Sequence, residues 1–92
     1  MNVTYRTDKN ILYVALEGRI DASNAAVAEE KIFNIKKENE GKHTVVDADA
    51  LEYISSAGLR VILKLRKEEP KLAIINVSPE VYDVFDMTGF TD

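Results

Sequence analysis

Apolar residues in this chain change their spacing along its length. They recur at every second position near the start, at steps of three and four from Ala25 to Ile35, and in short β-branched runs separated by further helical spacing. A chain patterned in this way builds an α/β domain, because each sheet face needs helices to cover it. Val3 and Tyr5 alternate with Asn2, Thr4 and Arg6, and Asp8-Lys9-Asn10 supplies turn formers, so a hairpin opens the chain. Its second arm, Ile11 to Glu17, is apolar on both faces and belongs deeper in the sheet, with Gly18 expected to end it. Ala25, Ala28, Ile32 and Ile35 then mark one face of a helix, with Glu29, Glu30, Asn34 and Lys37 elsewhere.

Asn39-Glu40-Gly41-Lys42 breaks that helix, and Thr44-Val45-Val46 reads as a short central strand ending at Asp47. Asp49 to Ser55 reads as a loop. Ala57 to Lys67 is helical again, with Leu59, Ile62 and Leu63 facing inward and Arg60, Lys64 and Lys67 outward. Pro70 stops it, Leu72 to Ile75 forms another strand, and Ser78-Pro79-Glu80 opens a last helix with Val81, Val84, Phe85 and Thr88 inward and Gly89 at its end. The expected fold is a mixed sheet of about four strands with three helices, in the order β-β-α-β-α-β-α. Residues 1–92 form a single domain, since so short a chain holds one core.

Composition narrows the function. With 46% apolar and 30% charged residues the chain has enough Leu, Ile and Val to fold. No apolar run approaches the roughly 18 residues of a membrane span, and the first residues lack the order of a signal peptide, so a cytoplasmic protein is expected. The absence of cysteine removes disulfides, thiolate zinc sites and thiol nucleophiles, and the single His43 is expected to be a surface residue. A net charge of -4 argues against nucleic acid, whose phosphates need clustered Lys and Arg, and favours a protein partner.

In such a sheet the carboxyl ends of strands and the amino ends of the following helices meet at one edge, where sites usually lie. Asp21, Asp47, Asp49, Ser55 and Ser56 all fall on that edge by this reading. Ser56 precedes the second helix, where a serine most often caps the first turn. Three features point further. Ala57 and Gly58 leave its hydroxyl open, the helix start favours an added anion, and a phosphate there would join Asp21, Asp47, Asp49 and Glu52 as like charges. Asp21 has a capping reading of its own.

The stretch Val45-Val46-Asp47-Ala48-Asp49 through Ser55-Ser56-Ala57-Gly58-Leu59-Arg60 resembles the signature of the STAS family, the sulfate transporter and anti-sigma factor antagonist domain. Gly18-Arg19-Ile20-Asp21-Ala22 is similar to that family's segment before its first helix. Ser78-Pro79-Glu80-Val81 and Phe85-Asp86-Met87-Thr88-Gly89-Phe90 resemble its third. The resemblance implies an anti-sigma factor antagonist, which binds an anti-sigma factor/serine kinase when unphosphorylated, is released on phosphorylation, and is restored by a serine phosphatase. It implies Ser56 as phosphoacceptor and Asp21 as a flanking acid. Several antagonists carry Asp where this chain has Ser55, which makes Ser55 a minor candidate acceptor. The family's usual last strand and helix have no counterpart before Asp92.

The partner-binding surface expected from these residues comprises Asp21, Asp47, Asp49, Ser55, Ala57, Gly58, Arg60 and Lys64. The basic residues Arg60, Lys64 and Lys67 suit an acidic partner groove or a solvated face. Neither enzymatic activity nor a cofactor is expected: no glycine loop cradles phosphates, so ATP comes from the partner, and a hydrolase using Ser56 lacks a base and an oxyanion hole. A magnesium pocket of Asp21, Asp47 and Asp49 lacks the supporting lysine, so no metal is expected. No membrane contact is expected, and the oligomeric state is a monomer or weak dimer. STAS domains also serve as unphosphorylated docking subunits of transporters and lipid-trafficking complexes, which is the alternative.

Overall fold

The computed structural model describes residues 1–87, so the expected positions of Thr88 and Gly89 lie outside the described residues. Strand β1 (Asn2–Asp8) turns back on β2 (Ile11–Ile20) in an antiparallel pair, with Asp8 opposite Ile11. The link needs only Lys9 and Asn10, and Lys9 closes it in the left-handed region at φ 55°. Helix α1 (Ala25–Glu38) leads to β3 (His43–Asp47), which lies between β2 and β5 (Ala73–Ile75) and parallel to both. The Thr44–Val46 segment is therefore central, as its β-branched composition implied. Helices α2 (Ser56–Glu68) and α3 (Pro79–Met87) complete the described chain.

Two expectations are corrected together. The segment taken for a loop between Asp49 and Ser55 contains a fifth strand, β4 (Leu51–Ile54), and Gly18 does not end β2. Gly18 instead takes φ +83°, donates its amide to the Ala50 carbonyl at 2.8 Å, and shifts the register so that Arg19 meets Tyr53 and Ile20 meets Ile54. A residue without Cβ adopts this conformation without strain, which lets the strand continue past a bulge. β2 thus serves β3 with Ile11 to Ala15 and β4 with Gly18 to Ile20. β4 escaped notice because Leu51 and Ile54 are buried while Glu52 and Tyr53 are exposed, a pattern without the two-residue alternation that marks a strand.

Leu12, Val14 and Leu16 of β2 and Val46 of β3 form the floor of the core. Ala25, Ala28 and Ile32 of α1 are buried as the spacing predicts, and Val81 and Phe85 of α3 are also inward. α2 buries Gly58, Leu59, Val61, Ile62 and Leu65, whereas Leu63, expected inside, is 43% exposed. The arc that α2 turns toward α1 and β4 is centred on Leu59, Ile62 and Leu65, and Leu63 falls just beyond it. Ser78 Oγ accepts a bond from the Val81 amide at 3.3 Å, so the last helix is capped as Ser-Pro-Glu implied. Thr44 is buried in the floor with no hydrogen-bond partner for its hydroxyl among the described residues, while its amide donates to Glu69 at 2.7 Å.

Candidate functional site at the start of helix α2

β2 and β4 finish side by side, with Ile20 opposite Ile54, and the Ser55 amide donates to the Ile20 carbonyl at 2.8 Å. This bond holds the exit of β4 against the end of β2, immediately before Asp21. Ser55 remains extended, at φ -88° and ψ 175°, and its Oγ accepts from the Gly58 amide at 3.3 Å. Ser55 is thus the cap of α2, a correction to the expectation that Ser56 would fill that position. Ser56 is the first helical residue and is exposed, while Ser55 and Ala57 are half-buried. Of the two serines, Ser56 is the more exposed.

Gly58 acts differently from expectation. It is buried, and a Cβ on it would stand 2.6 Å from Ile54 Cγ1 and 2.8 Å from Ile20 Cγ2. The missing side chain lets the first turn of α2 approach the β2–β4 pair rather than clearing space around Ser56. Its part in any interface is therefore indirect.

Asp21 is placed beside Ser55, in the loop between β2 and α1. Its carboxylate accepts from the amide and the hydroxyl of Ser23, while its own amide donates to Asn24 Oδ1 at 3.0 Å. Asn24 Nδ2 in turn donates to the Arg19 carbonyl at 3.0 Å. The Ser23 hydroxyl foremost, aided by neighbouring amides and the Arg19 charge, holds the Asp21 carboxyl below its ordinary range. The capping reading of Asp21 is corrected: Asn24 is the residue at the start of α1, and Asp21 shapes the turn before it.

The five-residue edge divides in two. Asp47 Oδ1 accepts from the Asp49 amide at 3.0 Å and from Asn76 Nδ2 at 3.1 Å, which bends the chain into the turn before β4. Asp47 and Asp49 therefore stand at the entrance of β4, and Ser55 and Ser56 at its exit. Four residues of extended chain set these ends about 13 Å apart. Asp21 follows Ile20, whose carbonyl accepts the Ser55 amide, so of these acids it is the one at the strand end adjoining the serines. Its separation from Asp47 and Asp49 also leaves the three without the common focus that a bound cation requires.

On the outer face of α2, Lys64 Nζ lies 2.9 Å from Glu29 of α1, so this expected partner contact is already engaged in joining two helices. Arg60 is exposed and makes no ion pair among the described residues. The sequence reading missed another pair: the Arg19 guanidinium lies over the Tyr53 ring, 4.4 Å from its centre, with Tyr53 39% exposed. Recognition of β4 would have aligned these two residues.

The sequence matches the STAS domain family over residues 2–92. The chain belongs to that family. It is 33% identical over 94 residues to a putative anti-sigma factor antagonist, BtrV, of Bordetella bronchiseptica, a match spanning 98% of this chain and 80% of that protein. It is 27% identical over 96 residues to the anti-sigma-B factor antagonist of Bacillus subtilis, covering 100% of this chain and 86% of the other. The STAS fold here superimposes on the crystal structure of an anti-sigma factor antagonist from Mycobacterium paratuberculosis with a TM-score of 0.85 at 20% identity, over 96% of this chain and 77% of that one. No helix among the described residues is long and apolar enough to cross a membrane.

Proposed function

We propose that this STAS domain is an anti-sigma factor antagonist, a cytoplasmic binding module without catalytic activity of its own, switched by phosphorylation of Ser56. The observation that carries the reading is that Ser56 is exposed at the first helical position while Ser55 supplies the cap. The names of the two relatives support it. Unmodified, the surface around Asp21, Ser56, Ala57 and Arg60 holds an anti-sigma factor that is also a serine kinase. The Ser56 oxygen attacks the γ-phosphorus of the partner's ATP, a new O–P bond forms as the bond to ADP breaks, and the hydroxyl proton passes to a base of the kinase. A serine phosphatase reverses the change by hydrolysis.

The product carries about -1.5 to -2 additional charges. In the free domain the start of α2 stabilises the anion by roughly 0.3–1 kcal/mol, so the fold tolerates it. Under a docked partner the dianion loses water and faces Asp21, and each 1.4 kcal/mol of that penalty weakens affinity about tenfold. Titration calorimetry with the anti-sigma factor tests this. Wild type and Ser56→Ala bind, and Ser56→Asp binds at least tenfold more weakly; Ser56→Asp binding as tightly as wild type overturns the switch. Mass spectrometry after incubation with kinase and ATP locates the phosphate, and modification of Ser55 instead overturns the assignment of the acceptor.

A further inference from the structure

We infer that Arg60 is an intramolecular clamp for the phosphate of Ser56, an inference that rests on the reading of Ser56 as the modified residue. Ser56 and Arg60 are four apart on α2 and both exposed. On a helix this spacing sets two Cβ atoms about 5–6 Å apart on one face. Helical side chains lean toward the amino terminus, so the long side chain of Arg60 covers the turn that begins with Ser56. Its planar fork of donors matches two oxygens of a phosphate.

The other cations near this face are otherwise engaged. Lys64 is one turn further on and is held by Glu29 at 2.9 Å. Arg19 lies on the adjoining strand, with its guanidinium over Tyr53. Arg60 alone combines helical proximity to Ser56 with freedom from an ion pair among the described residues.

The clamp gives the switch a second component. Phosphorylation adds an anion to the docking face and at the same time draws Arg60 away from any carboxylate of the partner. It also favours the dianionic phosphate, keeping the modification fully charged near neutral pH.

The test uses the full chain with phosphoserine installed at position 56 during synthesis, followed by phosphorus NMR across pH. The phosphate of the wild-type sequence titrates about 0.2–0.4 of a pH unit below that of Arg60→Gln, with Arg60→Lys between them, and the gap closes in 1 M salt. Arg19→Gln leaves the midpoint unchanged. In the chain without substitution, the Arg60 Nε–H resonance moves through the same titration and that of Arg19 does not, a readout independent of the folding of any variant. Equal midpoints for wild type and Arg60→Gln together with a stationary Arg60 resonance overturn the clamp, as does a response confined to Arg19. Because no kinase is needed, loss of the clamp leaves the antagonist reading standing, while a clamp seen in a chain that no kinase modifies at Ser56 separates the two in the other direction.

Discussion

The Ser55 hydroxyl accepts the Gly58 amide at 3.3 Å, three residues along the chain, and this bond frees the adjacent Ser56 from any part in starting the helix. The two serines are therefore separable by mutation. Ser55→Ala removes a helix cap and lowers stability by about 1 kcal/mol, whereas Ser56→Ala changes it by less than about 0.5 kcal/mol. Urea unfolding followed by circular dichroism distinguishes the two. Equal losses would contradict the assignment of the cap.

Gly58→Ala places a methyl group against Ile54 Cγ1 and Ile20 Cγ2, at 2.6 and 2.8 Å before relaxation. Both atoms are close to the branch of their side chains and have little room to swing away. Alanine gains about 1 kcal/mol in helix propensity, but the crowding costs about 1–3 kcal/mol, so a net loss of stability is expected in the same unfolding assay.

Thr44→Val replaces a buried hydroxyl that has no partner among the described residues by a methyl group of similar size. The fold should gain about 1 kcal/mol, seen as a higher melting temperature, because the desolvation penalty of the hydroxyl is removed while the amide bond to Glu69 is retained. A lower melting temperature would show that the hydroxyl has an essential contact.

Asp21 has a carboxyl pKa held below its ordinary 3.8, chiefly by Ser23. A group depressed in the folded state contributes stability above its unfolded pKa, and that contribution fades as pH falls through the folded value. Asp21→Asn should therefore flatten part of the acid limb of the stability profile below about pH 4. Ser23→Ala should raise the Asp21 midpoint toward 3.8, measured by carbon NMR of the carboxyl group. An unchanged midpoint would remove Ser23 as the cause.

The fold was legible wherever an element was long enough to show its period. Ala25, Ala28 and Ile32 identified α1, and Ser78 with Pro79 identified the start of α3. β4 was not legible: its four residues bury Leu51 and Ile54, and its pairing depends on a bulge in a distant strand. Omitting those four residues also merged Asp47 and Asp49 with the serines, which the strand holds apart. The choice between Ser55 and Ser56 as cap turned on a one-residue shift in a helix boundary, below what apolar spacing resolves. Leu63 shows the same limit, since both edges of an amphipathic stripe look alike until neighbouring helices choose between them.

Ser55 accepts the Gly58 amide, Asp21 accepts the amide and hydroxyl of Ser23, and Lys64 is occupied by Glu29. The phosphate proposed for Ser56 would displace none of these partners, so the switch as proposed requires no refolding of the domain. In that proposal the message would travel as a change in electric potential above the same backbone scaffold, which a partner would sense before touching it and which added salt should blunt.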